Sequence, residues 1–185
     1  MKRVMIMIAL MIFAAGLMAA DMMPDFRLPD MDGKNVSLQS LLGKGPILID
    51  FWADYCAPCK TAMPYMHELA EKYEELSVVL VSIDAPKFQN RAKNYLKGKN
   101  YKFINLFDPE KSLATRLNVG TPPHSFILNA EGEIVYSHVG FEPGVEAEYE
   151  ARIKQILYPE GMPEPKDESK AERIHGLDCG HGANK

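Results

Sequence analysis

The chain has 185 residues, 46% of them apolar, a net charge of -4 and three cysteines. That length and apolar share suit one ordinary domain with accessory ends, able to build a core without several covalent staples. The mild charge, free of long like-charge blocks, excludes the basic face that nucleic-acid binding needs. Three unevenly placed cysteines exclude a disulfide-framed small scaffold.

Lys2 and Arg3 precede an apolar run over residues 4–13, then Ala14, Ala15, Gly16, Ala19 and Ala20 ahead of Asp21. This order reads as a signal peptide over residues 1–20, cleaved after Ala20, with Met18 a bulky exception near the cut. An uncleaved membrane anchor is the alternative. No Cys lies near the cut to carry a lipid, and nothing after Ala20 is long and apolar enough to span a bilayer. A soluble mature protein in the periplasm, or another extracytoplasmic space, is expected.

Past the leader, residues 26–28 and 36–38 read as short edge strands around the turn Asp32-Gly33, and residues 37–42 as a helical turn stopped by Gly43. Ile47–Trp52 is a continuous β-rich run suited to a strand buried on both faces. Residues 56–76 carry Met63, Met66, Leu69, Ala70 and Tyr73 at helical spacing, with glutamates opposite and a kink expected at Pro64. A second buried strand over 78–83 follows, then a helix over 90–97, a strand over 103–107 and a helix over 110–117. Residues 125–128 and 133–139 form a hairpin across Asn129-Ala130-Glu131-Gly132, and Val145–Leu157 is the closing helix. The pattern predicts an α/β domain over residues 21–158, with parallel crossovers first and antiparallel strands last. Residues 159–185 read as a flexible tail.

The chemistry is concentrated in Cys56-Ala57-Pro58-Cys59, directly after a buried strand and at the start of an amphipathic helix. Two cysteines three apart on a first helical turn can form a reversible disulfide. The positive helix N-terminus stabilises a thiolate there, lowering a thiol from about 8.5 to roughly 3.5–7.5. Cys56 is then the exposed nucleophile, and Cys59, one turn further in, the resolving thiol. Pro58 suits the first turn, where its missing N–H costs nothing. Zinc sites also use this spacing, but the nearest further ligands, His175, Cys179 and His181, lie about 120 residues away in the tail. That tail cluster could itself bind copper or zinc, or resolve Cys56; a spare Cys in a loose end is the plainer reading.

The run from Ile47 to Lys60, ILIDFWADYCAPCK, resembles the active-site strand and helix of thioredoxin. Pro24-Asp25-Phe26 and the segment from Asp32 to Leu38 resemble the N-terminal extension of the secreted TlpA/ResA-type branch of that superfamily. The segment from Val119 to Asn129, with Gly132 after it, is similar to that branch's cis-proline loop and next strand. The resemblance covers roughly Pro24 to Leu157. It implies a thioredoxin fold, a central mixed β-sheet flanked by helices, with an N-terminal β-hairpin extension.

The resemblance also implies site residues. Pro123 is the expected cis-proline facing the cysteine pair, leaving the backbone of Pro122 free to pair with an incoming substrate. Asp50 matches the buried acid beneath the disulfide, whose raised pKa lets it take a proton from Cys59. The strand over 78–83 has no Lys to pair with that acid, and Ala85, beside Asp84, falls where some members of the branch place a glutamate. Trp52 and Tyr55 are expected to form a hydrophobic apron, although Trp52 can instead be core. His124 stands where Thr is usual; it can touch substrate, tune Cys56, or be an idle loop histidine. His67 and His138 are expected on the solvated surface.

These residues point to a thiol–disulfide oxidoreductase whose only redox group is its own Cys56–Cys59 disulfide, with no metal in the site. The expected partners are disulfide-bearing proteins, apocytochrome c among them by family analogy, and a membrane electron donor. Two other readings stand beside it: an oxidant or isomerase using the same cysteines, and a copper- or zinc-delivery module on the same fold. The two-residue spacing counts against the delivery module, and Ala53 lacks the hydroxyl that a peroxiredoxin places three residues before its reactive Cys.

Overall fold

A computed structural model of the protein describes residues 20–161. The expected leader and the tail carrying His175, Cys179 and His181 lie outside the described residues. The first elements are β1 (Arg27–Pro29), β2 (Asn35–Ser37), β3 (Ile47–Trp52), α1 (Ala57–Lys72) and β4 (Ser77–Ser82). They are followed by α2 (Gln89–Lys97), β5 (Ile104–Phe107), α3 (Ser112–Arg116), β6 (His124–Leu128), β7 (Ile134–Val139) and α4 (Val145–Leu157). Short 3-10 turns occupy Leu38–Ser40 and Pro86–Phe88.

The continuous apolar run of β3 takes the centre because a strand with six buried side chains needs cover on both faces and neighbours at both edges. The sheet order is β5-β4-β3-β6-β7. Strand β3 pairs parallel with β4 and antiparallel with β6, and the register sets Asp50 opposite Leu80 on one side and Ser125 on the other. The chain enters β3 through Gly45, whose φ of +141° and close approach to Glu75 leave no room for a Cβ. Strands β6 and β7 join through a turn in which Asn129 Oδ1 accepts from the N–H groups of Glu131 and Glu133, and Gly132 takes a φ of +90°.

Strands β1 and β2 pair only with each other, so they form a separate hairpin rather than edges of the central sheet. A single bridge from Asp30 to Leu106 ties that hairpin to β5. Helix α1 is shorter than the 56–76 reading. It runs on through Pro64 and ends at Lys72, because Tyr73 swings into an extended conformation and its hydroxyl donates to Glu150 on α4. Helix α3 is trimmed for a similar reason. Lys111 is left-handed, and the buried Asp108 carboxylate accepts from the N–H groups of Ser112, Leu113 and Ala114, so the helix starts where that cap places it.

Candidate active site

Cys56 is the N-cap of α1: its backbone is extended, and its sulfur accepts from the N–H of Cys59 at 3.2 Å. Sequence spacing predicts this placement, with Pro58 inside the first turn. Cys56 and Cys59 are joined by a disulfide, with Cα atoms 5.4 Å apart. The expectation of an exposed Cys56 needs correction: it is 5% exposed and Cys59 not at all. What projects beside the buried pair is Tyr55 at 72% together with Ala57 and Pro58.

Trp52 does not join that rim. Its side chain is wholly buried, packed 5.8 Å from the Tyr95 ring of α2, which makes it core and removes it from contact with substrate. The rim loop is braced from below. Buried Asp84 accepts from the N–H of Asp54 at 2.9 Å and from Ser82 Oγ at 2.9 Å, while Asp54 pairs with Lys60 at 3.0 Å. Asp84 therefore holds the strand-to-helix corner, a role its sequence position beside Ala85 does not announce.

Asp50 lies fully buried in β3, on the sheet face that Tyr149 of α4 covers; α4 in turn packs on α1. Ser125 Oγ donates to Asp50 Oδ1 at 2.6 Å, and Tyr149 Oη donates to Ser125 Oγ at 2.7 Å. Asp50 Oδ2 has no partner among the described residues. Burial pushes the Asp50 carboxyl up to about 7, against the lowering effect of the Ser125 bond. Burial also pushes the Tyr149 hydroxyl up, keeping it a neutral donor. Ser125 and Tyr149 are functional candidates that sequence reading passes over. The available signal was one hydroxyl, Ser125, inside the wholly buried strand β6.

His124 is neither a loop residue nor exposed. It opens β6 at 8% exposure, its Nε2 lies 2.9 Å from Ser137 Oγ, and its ring stacks 4.3 Å from Phe126. Strand alternation points it to the sheet face opposite Ser125, so it is separated from Asp50 by the sheet itself. Burial lowers its pKa, with the nearby His138 a smaller cause. His67 is not freely solvated either; it is half-buried against Tyr101 and Phe103. His138 is half-buried in β7, 3.7 Å from Glu142.

The peptide bond between Pro122 and Pro123 is cis. Pro123 is buried and its carbonyl accepts from Gly140 N at 2.8 Å, while Pro122 keeps partial exposure. The pairing of His124 with Phe51 sets this loop at the end of β3 that leads to Cys56. Among the described residues, no three or more His, Cys, Asp or Glu side chains gather as a metal site.

A disulfide capping the helix after the central strand of this mixed sheet defines a thiol–disulfide oxidoreductase of thioredoxin-like fold. The chain belongs to the Redoxin family, whose model matches residues 18–153. Among its relatives, a thiol-disulfide oxidoreductase ResA of Bacillus cereus is 35% identical over 63% of this chain and 67% of that protein. The ResA of Bacillus thuringiensis (strain Al Hakam) is 32% identical over 72% of this chain and 75% of its own length. The crystal structure of a candidate thiol:disulfide interchange protein DsbE from Chlorobium tepidum superposes with a TM-score of 0.69 at 32% identity, covering 75% of this chain and 96% of that one.

Proposed function

We propose that the protein is an extracytoplasmic reductant of protein disulfides that works through Cys56, Cys59 and Asp50. The single observation that carries this reading is the pairing of a helix-capping sulfur, Cys56, with a second sulfur buried one turn behind it. In the reduced protein the Cys56 thiolate, stabilised by the helix N-terminus, attacks a substrate disulfide; one substrate sulfur leaves as a thiolate and the other stays bonded to Cys56. Cys59 then attacks Cys56 Sγ, its proton passing to Asp50, and the second substrate sulfur leaves. Two electrons have moved to the substrate, and the Cys56–Cys59 disulfide of this structure is the spent state. A membrane electron donor restores the dithiol.

The exposed Tyr55 and Pro58, with the backbone of Pro122, offer the contact surface for an extended substrate segment. Pro122 can only accept there, since proline has no N–H. The resemblance to the TlpA/ResA-type branch favours a place in cytochrome c maturation, with apocytochrome c as substrate. The secretory reading of residues 1–20 supports the compartment, and no helix among the described residues is long and apolar enough to cross a membrane.

A Cys59→Ser variant tests the reading. It should accumulate a mixed disulfide on Cys56, released by dithiothreitol, and the captured protein identifies the substrate. Absence of any adduct from a protein whose Cys56 still alkylates would reject the mechanism. A midpoint potential more oxidising than that of glutathione would reverse its direction.

A further inference from the structure

We infer that Ser125 and Tyr149 are positioning residues of the redox centre: their hydroxyls form a two-step donor chain that occupies Asp50 Oδ1 and holds Asp50 Oδ2 open as the proton acceptor for Cys59. This deepens the proposed function and rests on its reading of Asp50 as the base. The chain runs from α4 through β6 to β3, and all three residues are buried, Tyr149 at 1% exposure and the other two at 0%. Three buried polar side chains in contact carry a desolvation cost that an apolar trio of similar shape would avoid. While Asp50 is ionised, the order of donation is fixed. A carboxylate can only accept, so Ser125 donates to Asp50 and must take its own hydrogen bond from Tyr149.

That order leaves one carboxylate oxygen committed and the other free. Oδ2 is buried with no partner among the described residues, the condition of an acceptor awaiting a transient proton. The described groups around Asp50 introduce no competing charge in contact with it. Strand β4 presents Leu80 in register, β6 presents Ser125, and α4 presents Tyr149. Of the residues that α1 buries, Cys59, Ala62, Met63, Met66 and Leu69, Cys59 alone is titratable, and β7 sets His138 across from Ser125 with Glu142 3.7 Å from it.

The step balances on the residues named. Cys59 loses its proton to Asp50 Oδ2 and its sulfur bonds to Cys56 Sγ. The bond between Cys56 and the substrate sulfur breaks, and that sulfur departs with the electron pair as a thiolate. Donation from Ser125 favours the ionised carboxylate, and donation from Tyr149 into Ser125 strengthens it. Removing either hydroxyl makes Asp50 hold its proton to higher pH, so it reaches the resolving step already occupied.

Reduced full-length protein mixed with a chromogenic aromatic disulfide reads this step directly. The first burst of coloured thiol reports Cys56 attack, and the second reports Cys59 resolving the adduct. Followed from pH 5 to 9, the second phase of Ser125→Ala should move its midpoint up by about one pH unit and run roughly fivefold slower at pH 7. Tyr149→Phe should move the same way and slow the phase by about two- to threefold, and Ser125→Thr should restore the parent profile. The first phase should be unchanged throughout. If Asp50→Asn abolishes the midpoint while Tyr149→Phe and Ser125→Ala leave it in place, the donor chain is merely structural and this inference fails. If Asp50→Asn itself leaves the midpoint in place, the base reading beneath it fails instead. Tyr149→Phe is near-isosteric and decides the question alone should Ser125→Ala not fold.

Discussion

Asp50 and Asp108 are both buried aspartates, at 0% and 1% exposure, yet the regions that hold them treat the carboxylate oppositely. In the corner between β5 and α3, Asp108 accepts from Ser112 N, Ser112 Oγ, Leu113 N and Ala114 N, so both oxygens are engaged and the residue ends as a helix cap. In the centre of β3, Asp50 accepts from Ser125 alone among the described residues, and its Oδ2 has no partner there. Burial by itself does not mark a functional acid. What separates the two is the number of donors the fold provides, because a fully engaged carboxylate has nowhere to receive a proton.

The largest effect that sharpens this contrast is the pH dependence of stability. An unfolded Asp50 ionises near 3.8, whereas the folded one holds its proton until about 7, so between those values the folded state binds more protons than the unfolded state. The contribution of Asp50 to stability is therefore fully present below 3.8 and lost as pH rises through 7, on the order of 4 kcal/mol at most. Denaturant unfolding of the oxidised protein should show that decline, and Asp50→Asn should flatten it. A parent curve no steeper than that of the variant would mean the carboxyl is better solvated than its setting implies. Next in size, Asp108→Ala should lower stability by about 2–3 kcal/mol, since it strips a cap with several donors. Thermal melting measures the loss, and resolution kinetics per folded molecule should not change. The smallest effect is that of His124→Asn, costing about 1 kcal/mol or less through the Ser137 contact. It should leave the resolution pH profile unmoved; a shifted profile would break the separation of the two sheet faces.

Much of this was legible in the residues. The run Ile47–Trp52 announces a strand buried on both sides, and Cys56 and Cys59 announce a sulfur pair at a helix start, because both signals are local. Val145–Leu157 was readable to the residue from its periodicity. What stayed hidden depends on contacts between distant segments. Tyr149 looks like one more core aromatic of α4 until the register of β3 and β6 brings Ser125 and Asp50 to it. Trp52 and His124 were open to misreading for the same reason. A single position along a strand decides between interior and rim, or between one face and the other, and composition carries no record of that parity. The early end of α1 likewise follows from Glu150, which lies 77 residues beyond the Tyr73 it accepts from.

The complete enclosure of Cys59 has a kinetic consequence. Once a foreign sulfur is attached to Cys56, no dissolved thiol can reach the adduct from the interior side, and the thiol stationed there acts at an effective concentration that a diffusing competitor does not match. Under the proposed mechanism, catalytic commitment is thereby written into the topology: the adduct's lifetime is set by the resident Cys59 thiol rather than by the thiol content of the surroundings.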